Sequence, residues 1–146
     1  MSLINFFFLL PSKGKFLNGF TNEQLKSQAD NVWRHLDGMS PVLLIAGVAI
    51  GIALAVFYYT AYNEMPGRHY TVKHWTIWAI ISFVLTLVVT AVIEYVFIKT
   101  NLKSGISSLY WLCAINNALY SLIFYFVTSL VWCNFLPTNA YKFLKP

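Results

Sequence analysis

Three long apolar stretches, Pro41–Tyr62, Trp75–Ile98 and Ile106–Leu136, take up most of the second two-thirds of this chain, and Glu94 is the single charged residue inside them. As a helix, a stretch of ~20 such residues covers the ~30 Å hydrocarbon core of a bilayer. Of 146 residues, 58% are hydrophobic and 10% charged, against about 25% charged in soluble domains. A soluble fold of this size buries only about two-thirds of its surface and would leave this composition with aggregating apolar patches. The fold expected is therefore an all-α integral membrane protein, with three transmembrane helices preceded by a short apolar N-terminal tail and an amphipathic helix.

Residues 1–20 form the tail. Its run Phe6-Phe7-Phe8-Leu9-Leu10 is too short to span, lacks a preceding Lys or Arg, and meets Pro11-Ser12-Lys13 where a signal peptide carries a small-x-small cleavage site. An interfacial or partner-binding tail is expected, with Ser12–Phe20 a loop near headgroups. Residues 21–38 are the amphipathic helix. Thr21 with Gln24 fits a capping box. Leu25, Ala29, Val32, Trp33 and Leu36 recur at helical spacing opposite Glu23, Lys26, Asp30 and Arg34, and Asp37-Gly38 is the expected stop. Because the polar face mixes both signs, whereas lipid-surface helices carry mainly Lys and Arg there, this apolar stripe is expected to dock on protein.

In the first span (41–62), Gly47, Gly51 and Ala55 form a small-xxx-small seam. Inside lipid, helices associate by close packing, so such a seam is a contact between helices, with another copy of the chain among the candidate partners. In the second span (75–98), Ser82, Thr86, Thr90 and Glu94 follow at four-residue steps and share one slowly drifting stripe. Ser and Thr bond back to their own helix and are cheap in membranes; a carboxylate is not. Glu94 has three readings: reaching headgroups or Lys99 or Lys103, packing against a partner, or lining an ion path. The third run (106–136) is longer than one perpendicular crossing needs, so tilt, an interfacial start or a bend near Asn116-Asn117 is expected. Asn116, Asn117, Ser121 and Thr128 are its intramembrane polar residues, either hydrogen-bonding across to another helix or edging a hydrated lumen. The tail from residue 137 to 146 follows.

The two cysteines, Cys113 and Cys133, are about 30 Å apart along one helix and cannot form an internal bridge. His35, His69 and His74 lie on separate connectors without metal-ligand spacing, and no nucleophile elbow or phosphate loop occurs. No catalytic residue, cofactor or metal is therefore expected, and the chain is read as a non-enzyme. The net charge of +5 comes from Lys and Arg scattered outside the apolar runs, a lipid-headgroup pattern rather than a nucleic-acid face. Membrane lipid, other membrane subunits and copies of the chain itself are the expected partners.

Lys13, Lys15, Lys26, Arg34, Lys99 and Lys103 fall on one side of a three-span topology, against Arg68, Lys73, Lys142 and Lys145 on the other, which favours a cytoplasmic N-terminus. The architecture points to a structural or anchoring subunit of a larger membrane assembly. The alternative is a homo-oligomeric pore or membrane-perturbing effector, drawn from the small-residue seam and the polar stripes.

Overall fold

The computed structural model describes residues 3–63, 72–98 and 106–136, and these are helical throughout apart from short turns. A 3-10 turn at Leu3–Phe6 and a five-residue helix, α1 (Lys13–Leu17), precede three long helices: α2 (Glu23–Phe57), α3 (Val72–Ile98) and α4 (Ser107–Phe135). Three helices are long and apolar enough to cross a membrane. The Pro66-Gly67 turn, the return loop at 101–105, Lys99, Lys103, Arg68, His69 and the tail from 137 to 146 lie outside the described residues.

The start of α2 differs in detail from the capping box read at Thr21 and Gln24. Asn22 caps the helix, its Oδ1 accepting the Gln24 backbone N–H at 2.9 Å. A short side-chain oxygen one residue before the first helical turn satisfies an orphan donor in the same way. A larger difference follows at Asp37-Gly38, where the sequence reading stops the helix. Instead α2 continues through Gly38 and Pro41 without a break.

Pro41 has no N–H, so the Asp37 carbonyl one turn earlier loses its usual donor. The Ser40 hydroxyl donates to that carbonyl at 2.7 Å, replacing the missing bond from inside the helix. At its other end α2 widens into a π-helical turn, Tyr58–Tyr62, a single-turn form common at irregular positions. Here the Thr60 hydroxyl donates back to the Val56 carbonyl at 2.8 Å.

The chain forms two compact units. One comprises the chain up to Ile45 with Leu87–Asn117. Its core joins Ile4 and Phe7 of the tail, Ala29, Val32, Trp33, Leu36 and Leu43 of α2, and Ile106, Leu109, Tyr110 and Cys113 at the start of α4. The stripe expected to dock on a partner is thus covered by the chain's own residues at Ala29, Val32, Trp33 and Leu36, with Leu25 half-buried. Leu10 packs on the same core and the Leu9 N–H donates to Asn116 Oδ1 at 3.2 Å, so the tail folds back on the chain. Asp30 draws α1 to α2 through Lys13 (2.7 Å) and also pairs with Arg34 one turn on (2.7 Å). The Lys13 and Arg34 cations hold the Asp30 carboxyl below its usual range.

The other unit comprises Ala46–Thr86 with the chain from Ala118 on. Gly51 is its closest helix contact, since a Cβ there would strike the Ser121 carbonyl of α4 and lie 3.1 Å from Ser121 Cα. Ala55 continues the contact against Ala79 and Tyr125, and Gly47 is also buried. At least at Gly51 and Ala55, the small-residue seam is filled by the chain's own helices. Tyr58, Tyr59 and Cys133 form an aromatic cluster with Tyr62, Trp75, Trp78 and Trp132 packed around them, the Tyr59 and Trp132 rings stacking 5.9 Å apart.

Two substitution pairs test these arguments. Ser40→Ala is expected to cost about 1 kcal/mol in detergent unfolding, and to cost nothing in a Pro41→Ala background, where the N–H is restored. Equal losses in both backgrounds would show that the hydroxyl does not replace the proline's missing donor. Gly51→Ala is expected to destabilise by about 1–3 kcal/mol through overpacking. Gly38→Ala, which meets nothing within 4 Å, stabilises by about 0.5–1 kcal/mol through helix propensity. The same unfolding curves decide the second pair.

Candidate functional site

Every fourth residue of α4 from Cys113 to Cys133 is buried: Cys113, Asn117, Ser121, Tyr125, Ser129 and Cys133. On α3, Ser82, Thr86, Thr90 and Glu94 are likewise no more than 3% exposed. Meanwhile α3 turns Ile77, Ile80, Val84, Val88 and Val92 outward. Polar side chains inside and branched aliphatics outside reverse the soluble arrangement. With its outer face apolar, the helix pair gains specificity from the polar seam between α3 and α4.

Within the unit built around the tail, Asn117 is the central member of that seam. Its Nδ2 donates to the Leu43 carbonyl of α2 and to Thr90 Oγ1 of α3, both at 2.8 Å. A backbone carbonyl only accepts, so this bond fixes which end of the amide is nitrogen. One turn away the Cys113 thiol lies beside the Glu94 carboxyl. Asn116, next to Asn117, uses its carbonyl for the tail at Leu9. Asn117 therefore bonds across helices, and α4 runs through the pair of asparagines without interruption.

In the other unit Ser82 and Ser121 share a hydroxyl–hydroxyl bond of 2.6 Å. Trp75 Nε1 donates to Ser129 Oγ at 3.1 Å, and the Tyr125 hydroxyl donates to the Trp75 carbonyl at 3.3 Å. Tyr59 and Cys133 are linked at 3.4 Å. Thr128 is only half-buried, and its neighbour Ser129 is the hydroxyl that faces the seam. Tyr125, Ser129 and Cys133 are thus seam residues the sequence reading did not name. The signal for them was the four-residue step itself, which continues unbroken from Asn117.

These polar atoms are not all paired. Glu94 Oε1, Asn117 Oδ1, Asn116 Nδ2 and Thr86 Oγ1 are buried without a hydrogen-bond partner. No group of three His, Cys, Asp or Glu side chains suited to a metal occurs among the described residues. A half-open cleft of ≈ 490 Å³ lies beside the tail, lined by Phe7, Phe8, Leu10, Lys13, Trp33 and Asp37 among others. The Lys13 ammonium at its rim is already paired to Asp30, which leaves the seam as the site with unmet polar capacity. Comparison with known proteins finds no family model, no curated protein and no solved structure that matches the chain.

Asn117→Leu removes two interhelical bonds and is expected to lower stability by about 1–3 kcal/mol. Thr128→Leu, at a half-buried position, stays within about 0.5 kcal/mol of the wild type. Parallel SDS-unfolding titrations compare the two, and equal losses would remove Asn117 from its central place.

Proposed function

We propose that the chain is a helical integral membrane protein and serves as a non-enzymatic structural or anchoring subunit of a larger membrane assembly. The inverted distribution of polarity carries the membrane reading. Exposed Ile, Val and Phe on the long helices suit acyl chains, and buried Ser, Thr, Asn and Glu suit a helix interface that has no water.

The aromatic residues support the same reading. Along α3, Trp75 and the exposed Tyr95 are about 30 Å apart, and along α4 the exposed Trp111 and Trp132 are about 31 Å apart. Both spacings match a hydrocarbon core of ~30 Å edged by interfacial aromatic side chains. On this placement the N-terminal half of α2 continues out of the bilayer as an unbroken helix. Its Glu23, Gln24, Lys26, Asn31, Arg34 and His35 are exposed, forming a mixed-charge ridge pinned by the Lys13–Asp30 pair.

That ridge supports the subunit reading, because it offers a rigid polar surface at the membrane boundary, with the apolar side of the same helix already covered. The Lys and Arg distribution favours the cytoplasmic side for this end. The pore reading needs polar stripes directed at a lumen between copies. Here the buried side chains of those stripes bond one another within one chain, as at Ser82–Ser121 and Thr90–Asn117.

Two measurements test the proposal. Reporter tags added at the two ends are expected on opposite sides of the membrane, and same-side tags would overturn three crossings. In mild detergent, native mass measurement is expected to find unrelated polypeptides bound to the chain. A lone homo-oligomer that conducts ions in liposomes would instead establish the pore.

A further inference from the structure

The seam holds a carboxyl group with no cation beside it among the described residues. Glu94 is 3% exposed, with the Cys113 thiol beside it. Its Oε1 has no hydrogen-bond partner. One turn along each helix, Asn117 spends both amide hydrogens on Leu43 and Thr90, which leaves Asn117 Oδ1 a second buried acceptor with no donor. The two oxygens do not bond each other, and both belong to the tail-bearing unit.

Thr90, one turn before Glu94 on α3, accepts from Asn117 at its Oγ1 and retains a further lone pair. Two unsatisfied acceptors and a hydroxyl thus belong to residues one helical turn apart on facing helices. Buried acceptors left unpaired are costly, and an ionised carboxylate costs more.

We propose that Glu94 Oε1, Asn117 Oδ1 and Thr90 Oγ1 bind a small monovalent cation of sodium's size at the α3–α4 seam. Hard oxygen ligands select alkali and alkaline-earth ions over zinc or copper. The single carboxylate selects charge +1, since a divalent ion would leave an uncompensated positive charge in a neutral seam. A proton on Glu94 cancels its charge but supplies a single donor, whereas one cation accepts lone pairs from several oxygens at once.

Among the described residues, the other titratable groups of this core, Cys113 and Tyr110, bring no cation to Glu94. From α4 the group facing Glu94 is Cys113, a neutral thiol donor. From α2 the packed residues are Leu36, Met39 and Leu43, while Arg34 and His35 are exposed. The tail contributes Ile4, Phe7 and Leu10.

The test is thermal unfolding of the full-length chain in detergent at pH 8.5, in sodium, potassium or N-methylglucamine chloride at equal ionic strength. In sodium the wild type is expected to melt about 3 °C or more above its value in N-methylglucamine, as ligand linkage to the folded state requires. Potassium is expected to act more weakly. Glu94→Gln keeps the side chain's shape, and its melting is expected to ignore the cation. Thr90→Ala keeps the carboxyl but removes one ligand oxygen, and is expected to raise the sodium midpoint at least tenfold, which decides the matter should Glu94→Gln fail to fold. A wild type that melts identically in all three salts overturns the site. So does one that responds only to acidification, which would make Glu94 a simple carboxylic acid. A sodium response that survives unchanged in both variants moves the ion elsewhere and equally overturns the assignment.

Discussion

A helix whose outer face is apolar has no hydrophobic reason to choose one neighbour over another once lipid surrounds it, so its partners are chosen by close packing and by hydrogen bonds. Asn117 supplies the second of these. One amide group binds the α2 backbone at Leu43 and the α3 side chain at Thr90, and thereby sets three helices in register at a single level. The bond to Leu43 is to a main-chain carbonyl, so it depends on the backbone position of α2 and not on which residue stands there. Much of the tail-bearing unit follows from this register. With Asn117 fixed, Cys113 one turn earlier meets Glu94 one turn later on the antiparallel helix, and Leu109 reaches the Val32 and Leu36 side of α2.

The continuity of α2 matters for the same reason. Had the helix ended at Gly38, Leu43 would have no fixed relation to Ala29, Val32 and Leu36, and the tail would lose the surface against which Ile4 and Phe7 pack. Pro41 is where that break was to be expected. The Ser40 hydroxyl answers the proline locally, by taking the Asp37 carbonyl that proline abandons. A bond of three residues' reach therefore carries the helix past its proline.

The helices were legible in the sequence because length and apolarity are strong signals. The limits were in pairwise chemistry. Thr21 and Gln24 match the capping pattern, but the chain enters the helix one residue later and Asn22 does the capping. Asp37-Gly38 reads as a stop by composition, and only the Ser40 bond explains why it is not one. Along α4 the sequence reading sets Thr128 on the side of Asn117 and Ser121, whereas the buried hydroxyl is Ser129, which lies on the four-residue ridge. The i±4 ridge from Cys113 passes through Tyr125 and Cys133, which do not look polar in a list of residues but contribute a hydroxyl and a thiol to the seam. The amphipathic stripe was visible, yet its partner was not, because a pattern of apolar residues does not say which apolar surface covers it.

That last point alters what an assembly could recognise. With Ala29, Val32, Trp33 and Leu36 covered, and Gly51 and Ala55 closed against α4 and its neighbours, two of the features that most invited an external partner are consumed in folding. Two kinds of surface on the long helices remain exposed among the described residues. The outer faces of the long helices, such as Ile45, Ile80 and Val92, are branched and aliphatic, and they offer a neighbouring helix no more than lipid already offers. The exposed ridge of Glu23, Lys26, Arg34 and His35 differs, because its charges and amide groups are held on one stiff helix and discriminate between partners by charge complementarity. Specificity of assembly on the proposed reading therefore resides in this ridge at the membrane boundary, where water keeps each exposed charge inexpensive until a partner arrives.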